Sequence, residues 1–507
     1  MNRHDSGVRS ARAHPGRPSS CLALALALAT LPAHAQVPDR HAALTVAPAG
    51  HWSLAAVRVL DAARLTEHGF DPAAPTLTVG RIADLLAMAA GRAEASDHPL
   101  QLQVLDWLER LRAEYPDVFA EEAHSLTGRV AIVAGGTAAQ NPLRPRNATG
   151  LPRYEADTLS AFAAMRAGAT LGGRVHVALD AALRADGLQL REAYATSRVG
   201  SLGLWAGRRR SGIVSAAGGG MVLNDAAAWD GGGVWLTHPL RLPLLGPVNF
   251  ETFLAAADSN GLVPEPWFWA TRGTLEPLPR FTIGITRAIP FGDTSGGRAI
   301  NWREFGKILV GLNSAHERDD EYADNQVVAV DGRWRLPSDP APLELYVTWG
   351  AEDSSGAWWK SPAIIGGIFA PVIPGAPAFS AGIEHAVFTG EQGHGHFYEH
   401  GLLTDGWVER ANLIGHPLGG TGREWLLYGG FDRGIAGPAL RWQAFRRVRP
   451  QGNRLSPTRQ GTSWGGAGDV AWHVLPAIRL HAHAAIEVGS GWKTGNAAAY
   501  LVWHPHR

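Results

Sequence analysis

The sequence predicts a mainly β protein: an antiparallel transmembrane β-barrel of about 18 strands behind a small N-terminal three-helix bundle. Three observations lead there. The apolar period is helical between about residues 52 and 115, and close to two from about residue 128 onward. The leading residues read as an export signal, and no later run of about eighteen apolar residues offers a membrane helix. Glycine and tryptophan are abundant, 61 and 19 among 507 residues, which suits many tight turns and either aromatic girdles or sugar-stacking platforms. An exported chain without a membrane helix enters a bilayer only as a closed barrel, because every backbone polar group must then be paired.

Residues 1–35 carry the signal features in order. Arg3, Arg9, Arg12 and Arg17 make a long basic region, Cys21 to Leu31 an apolar core, and Ala33-His34-Ala35 a cleavage site. Cys21 is the single cysteine, so the mature chain is expected to hold no disulfide, thiolate nucleophile or cysteine metal site. Lys+Arg and Asp+Glu balance at 46 each, which argues against a nucleic-acid partner, since such binders show a basic excess.

Residues 36–125 are expected to form the bundle on the periplasmic side. Leu54, Val57 and Leu60 mark a first helix, with Gly69 and Pro72 as its stop signals. Val79, Ile82, Leu86 and Met88 mark a second. The third opens at Asp97 and Pro99, carries Val104, Trp107, Leu108 and Leu111, and stops at Pro116. The barrel takes residues 126–507. Phe281, Ile283 and Ile285 alternate with Thr282, Gly284 and Thr286, and Leu343, Leu345, Val347 and Trp349 with Glu344, Tyr346 and Thr348. Near the end Ile478, Leu480, Ile486 and Val488 oppose Arg479, His481, His483 and Glu487. An aliphatic face against a charged one, over about ten residues, marks a membrane strand with a polar lumen. Trp302, Trp334, Trp349, Trp442, Trp472 and Trp503 lie near strand ends, where girdles sit.

Four stretches together resemble the Wzi family of capsule assembly proteins. The first is the order of parts itself. Next comes LWAGRRRSGIVSAAGGGMVLNDAA followed by LPLLGPVNFETFLAAAD, between Leu204 and Asp258. Third is PRFTIGITRAIPFGD, Pro279 to Asp293, and last FYEHGLLTDGWVERANLIGHPLGG, Phe397 to Gly420. The resemblance implies an outer-membrane barrel with a helical bundle near its periplasmic mouth. It also implies a non-enzymatic lectin that keeps capsular polysaccharide or exopolysaccharide at the cell surface.

Candidate ligand-binding residues come from the residues themselves. Glu352 and Asp353 end a strand and offer acceptors for sugar hydroxyls, while Trp358 and Trp359 offer apolar faces for pyranose rings. The bland alternative is a solvated turn beside girdle tryptophans. Arg208, Arg209 and Arg210 adjoin a glycine-rich loop, where guanidinium forks suit an anionic polymer; the alternative is a solvated or lipopolysaccharide-facing charge run. Tyr398 and His400 sit in the last family-like stretch, and Arg441 shares a strand face with Gln443, Arg447 and Arg449 that should line the lumen. His394, His396, Glu399 and His400 crowd one segment, but their spacing fits no helical metal motif, so no metal and no cofactor is expected there. The partners expected are surface polysaccharide and outer-membrane lipid with its lipopolysaccharide, around a monomeric barrel. Two other classes remain open: a sugar-permeating porin, recognisable by conductance, and a surface hydrolase using two carboxylates among Glu352, Asp353, Glu399 and Asp405.

Overall fold

A computed structural model of the chain describes residues 44–48, 50–74, 76–119, 126–140, 159–171, 174–184, 187–293, 305–306, 322–336, 338, 341–352, 362–389, 397–399, 403–410, 412–434, 437–451, 453, 459–475 and 477–504. The expected signal and Trp302 lie outside them. Three helices come first: α1 Trp52–Ala62, α2 Val79–Ala95 and α3 Gln101–Glu114. His51 caps α1 by accepting from the Ser53 amide, and Thr78 caps α2 by accepting from the Arg81 amide. Their facing residues, Val57, Leu60, Ile82, Leu85, Leu86, Val104 and Leu111, are fully buried against each other. The end of α1 differs from expectation. It stops well before Gly69, because Arg64 takes a left-handed conformation (φ 65°) and the Leu65 amide bonds back to the Leu60 carbonyl at 2.9 Å. That closure normally favours glycine, so a sequence without one there hides it.

Eighteen long strands then follow among the described residues. They are β1 Leu126–Gln140, β2 Leu159–Leu171, β3 Val175–Arg184, β4 Gly187–Val199, β5 Leu202–Arg210 and β6 Ala228–Leu236. Next are β7 Gly246–Ala256, β8 Trp267–Leu278, β9 Phe281–Asp293, β10 Val327–Arg335, β11 Glu344–Glu352 and β12 Ala363–Ala370. The last six are β13 Phe379–Phe388, β14 Gly422–Asp432, β15 Ala439–Arg449, β16 Gly461–Leu475, β17 Ile478–Gly489 and β18 Trp492–Trp503. Each pairs antiparallel with its sequence neighbours, and β1 pairs with β18 from Ile132↔Trp503 to Gln140↔Gly495, which closes the sheet. Closure leaves no free edge.

Burial is inverted relative to a water-soluble protein. Ile285, Val347, Leu427, Ile486 and Val488 are exposed, whereas Arg272, Arg333, Glu384, Glu424, Arg449 and Glu487 are buried. Apolar side chains thus face outward and charged ones inward, as the period-two reading expects. Among the described residues no helix is long and apolar enough to cross a membrane.

The α-helices sit in the mouth where β2–β3, β4–β5 and β8–β9 are joined by short turns. Short turns mark the periplasmic end of such barrels. Exposed Trp334, Trp442, Trp472 and Trp503 ring that end, and exposed Trp425 and Trp464 lie at the other. Two long connections at this far, extracellular end, residues 211–227 and 389–421, include segments folded back into the barrel.

Candidate functional site

The lumen is occupied from both ends. From the periplasmic side, each of three buried carboxylates of the helical region meets an arginine on a different strand. Asp71 binds Arg272 of β8 at 2.6 Å, Asp61 binds Arg335 of β10 at 3.0 Å, and Glu114 binds Arg479 of β17 at 3.1 Å. Glu114 also accepts from His51 at 2.8 Å, Trp52 at 2.9 Å and His473 at 3.2 Å. Burial raises the Glu114 carboxyl, but Arg479, His51 and the two histidine hydrogen bonds outweigh it and hold the group well below the usual range. At Asp61 burial wins over Arg335 and the carboxyl is raised. Burial also lowers His51, which keeps its ring neutral.

From the extracellular side, residues 211–227, 397–399, 403–410 and 412–421 fold into a cap. Asn224 donates its side-chain amide to the Leu413 carbonyl at 2.9 Å and to the Gly415 carbonyl at 2.5 Å, and its backbone amide to the Ile414 carbonyl at 2.6 Å. Trp407 donates to the Val222 carbonyl at 2.7 Å. A hairpin of Val408–Glu409 and Asn412–Leu413 braces the second loop. The wall anchors the cap in turn. Glu384 of β13 accepts from the Ala217 and Gly218 amides at 2.8 and 2.9 Å and from the Tyr346 hydroxyl at 2.6 Å. Arg333 donates to the Ser215 carbonyl at 2.7 Å, and Arg449 to the Leu418 carbonyl at 3.0 Å. Paired amides and carbonyls let a loop sit inside a barrel without stranding its backbone.

Glu384, His416 and Glu424 converge beside Gly218, with one ligand-type atom of each within 4.8 Å of the others. The Cβ that Gly218 lacks would lie 2.6 Å from Glu384, 3.0 Å from Glu424 and 3.2 Å from His416, so any side chain there has to push the carboxylates aside. The trio has the residue types of a metal site. His416 Nδ1, however, accepts from the Leu418 amide at 3.2 Å, which puts the proton of the neutral ring on Nε2, the nitrogen facing the carboxylates. That nitrogen lies 3.9 Å from Glu424, beyond hydrogen-bonding distance.

Between bundle and cap lies a cavity of about 470 Å³. It follows α1 from the helix mouth to the underside of residues 212–217. Arg209, Arg210 and Arg441 line it, together with Trp52, Arg58, Glu192, Phe369 and Tyr428. The sequence candidates therefore divide. Arg441 faces the lumen as its strand period expects, and donates to the Trp52 carbonyl at 3.2 Å near the periplasmic mouth, away from the outer surface. Arg209 is 1 % exposed, within 3.6 Å of Glu251 and 4.7 Å over the Trp205 ring, so it corrects the reading of a polymer-gripping surface run. Arg208 stays at the extracellular rim, bonded to Asp230 at 2.7 Å, and Arg410 meets the same carboxylate at 2.8 Å. Asp258 adjoins Arg410 at 3.4 Å.

Tyr398 requires a second correction. It is fully buried, its hydroxyl accepts from the His416 amide at 2.9 Å and donates to the Met221 carbonyl, and burial pushes its phenol well up. It stitches the two cap loops together instead of presenting a ring to a ligand. Its own amide donates to Glu352, which also accepts from Asn325 at 2.9 Å. Asp353, Trp358, Trp359 and His400, like His394 and His396, lie outside the described residues. Sequence reasoning passed over the cap anchors Asn224 and Glu384, and Glu424 beside Gly218. The inward parity of their strands, the same that placed Arg447 and Arg449, is the signal that finds the two glutamates.

The family model described as capsule assembly protein Wzi matches residues 122–428, more than half of the chain. Among solved structures, the Escherichia coli outer-membrane protein Wzi, involved in group 1 capsule assembly and described as a carbohydrate-binding β-barrel, superposes with a TM-score of 0.69 at 15% identity. The match covers 90% of this chain and 99% of that one. Pseudomonas aeruginosa OpdO follows at a TM-score of 0.48 and 10% identity, covering 75% of this chain and 97% of its own. A comparison with curated proteins finds no match.

Proposed function

Because the chain belongs to the Wzi capsule assembly family, we propose that this outer-membrane barrel holds capsular polysaccharide or exopolysaccharide at the cell surface. The observation that carries the reading is the cap. A mouth closed by two loops, tied to each other by Asn224, Tyr398 and Trp407 and to the wall by Glu384, Arg333 and Arg449, is a fixed platform. It is poorly suited to passing solutes. On that platform Arg208 and Arg410 offer guanidinium groups at the rim, and Asp230 and Asp258 offer acceptors for hydroxyls. Glu352 leads into the connection that carries Asp353, Trp358 and Trp359, which we retain as the aromatic part of the site, with His400 on the neighbouring loop. A polymer repeats its units, so weak contacts on one barrel and on its neighbours sum to firm retention. The barrel acts as a monomer, with lipid and lipopolysaccharide around its apolar face, and performs no chemistry on the polymer.

The test is the partition of polysaccharide between cells and medium in a deletion strain. Polymer made in normal amount but released to the medium is the expected result. Unchanged surface polymer overturns the reading. The porin alternative makes the opposite demand, a steady conductance of the purified protein in a planar bilayer, and the cap counts against it.

A further inference from the structure

The cavity under the cap is not accounted for by surface retention, since it lies on the other side of the cap from the platform. Its composition is unusual for a packing defect. An unfilled void in a core is apolar and stays dry, whereas this one is bordered by charged and aromatic side chains. Phe369 of β12 and Tyr428 of β14 stack at 5.7 Å with an interplanar angle of 18°, giving the wall a flat aromatic face. Arg58 of α1 lies 5.7 Å from the centroid of Phe369 and 5.8 Å from that of Tyr346, and its Nη2 is buried with no hydrogen-bond partner among the described residues. A guanidinium is always charged and carries five donors, and a buried donor left unpaired destabilises the fold. Arg210 borders the same space near the roof and Arg441 near the helix mouth, with Glu192 between strands on the β4 side.

Cavities of this size hold small organic ligands. A flat aromatic face takes the C–H side of a pyranose ring, and guanidinium forks pair with carboxylates. A lipid tail fits the rings but strands the arginines; an inorganic anion fits the arginines but leaves the rings bare. We propose that this chamber is a second binding site, for a short saccharide segment carrying a carboxylate, reached past the helices from the periplasmic mouth. The Phe369–Tyr428 face stacks on one sugar ring, and Arg58 turns from the rings to meet the acid.

The single cysteine of the chain falls in the expected signal, so introduced cysteines report cleanly. Ala55→Cys on α1 places a thiol in the chamber wall, and Leu262→Cys places one on an exposed extracellular loop. Both are treated, in the purified full-length barrel, with a small charged methanethiosulfonate reagent, with and without tetragalacturonate or the neutral maltotetraose. The expected result is that tetragalacturonate slows modification of Ala55→Cys at least fivefold while maltotetraose does not. Leu262→Cys is unaffected by either. Arg58→Gln in the Ala55→Cys chain abolishes the protection, and Arg58→Lys retains part of it. The rate for Ala55→Cys, Arg58→Gln without saccharide, equal to that of Ala55→Cys alone, shows the chamber intact. Equal modification with and without tetragalacturonate overturns the proposal, as does protection that survives Arg58→Gln. None of these readouts involves polymer retention on cells, so chamber and platform stand or fall separately.

Discussion

Glu114 decides how the bundle is held, because one buried carboxylate serves His51, Trp52, His473 and Arg479 at once. Burial favours its protonated form, yet Arg479 and the histidines keep it ionised well below the ordinary glutamate value of about 4.3. A carboxyl depressed in the folded state contributes stability that is fully present above its unfolded value and is lost as pH falls through the folded one. The docking is therefore expected to hold unchanged down to about pH 5 and to weaken only in stronger acid. Glu114→Gln leaves Arg479 buried without its counter-charge and should cost about 3 kcal/mol at neutral pH. Urea unfolding in detergent at pH 7 and at pH 3 checks this. The gap between wild type and variant should narrow in acid, where the unfolded glutamate takes up a proton that the native carboxyl does not. A gap independent of pH contradicts the assignment.

The cap depends on contacts between segments far apart in the chain. Asn224 satisfies carbonyls some 190 residues away, and Tyr398 reaches Met221 across a similar span. No local period encodes such contacts, so the loops read as polar surface in sequence while Tyr398, Trp407 and His416 are in fact buried. Asn224→Leu leaves the Leu413 and Gly415 carbonyls without that donor and is expected to loosen the cap by about 2 kcal/mol. Limited proteolysis of intact cells should then cleave within residues 211–227, where the wild type resists. A change at the wall has a different signature. Gly218→Val drives a branched side chain against the carboxylate ends of Glu384 and Glu424 and the His416 ring, and those carboxylates move aside only by giving up their bonds to Tyr346 and Arg447. The cap should be displaced from the lumen and conductance in a planar bilayer should rise from near zero to clear steps. Silence in Gly218→Val, with the protein folded, means that the bundle alone closes the pore.

At the scale of the whole barrel, the sequence carried most of what the structure shows. The alternation placed Ile285, Val347 and Ile486 outward, and Arg447, Arg449 and Glu487 inward, because a strand's two faces meet two different solvents. The same rule split the arginine run, sending Arg209 to the interior, a consequence available from Trp205 four residues before it. The cap stayed hidden because it is set by what the lumen lacks, a filling, and loops supply that without periodicity. The outward face is also where lipid can be told apart from water. Leu427 lies at the middle of β14 and is 51 % exposed, whereas Leu475 ends β16 at the periplasmic rim and is 54 % exposed. In water an arginine at either place is nearly neutral to stability. In a bilayer the midplane position should cost about 2–4 kcal/mol and the rim position no more than about 1 kcal/mol. Folding of Leu427→Arg and Leu475→Arg into phospholipid vesicles, followed by urea titration and gel mobility, measures both. Equal costs at the two depths contradict a membrane-spanning face at β14, and the predicted twofold or greater difference fixes where along the strand the hydrocarbon begins.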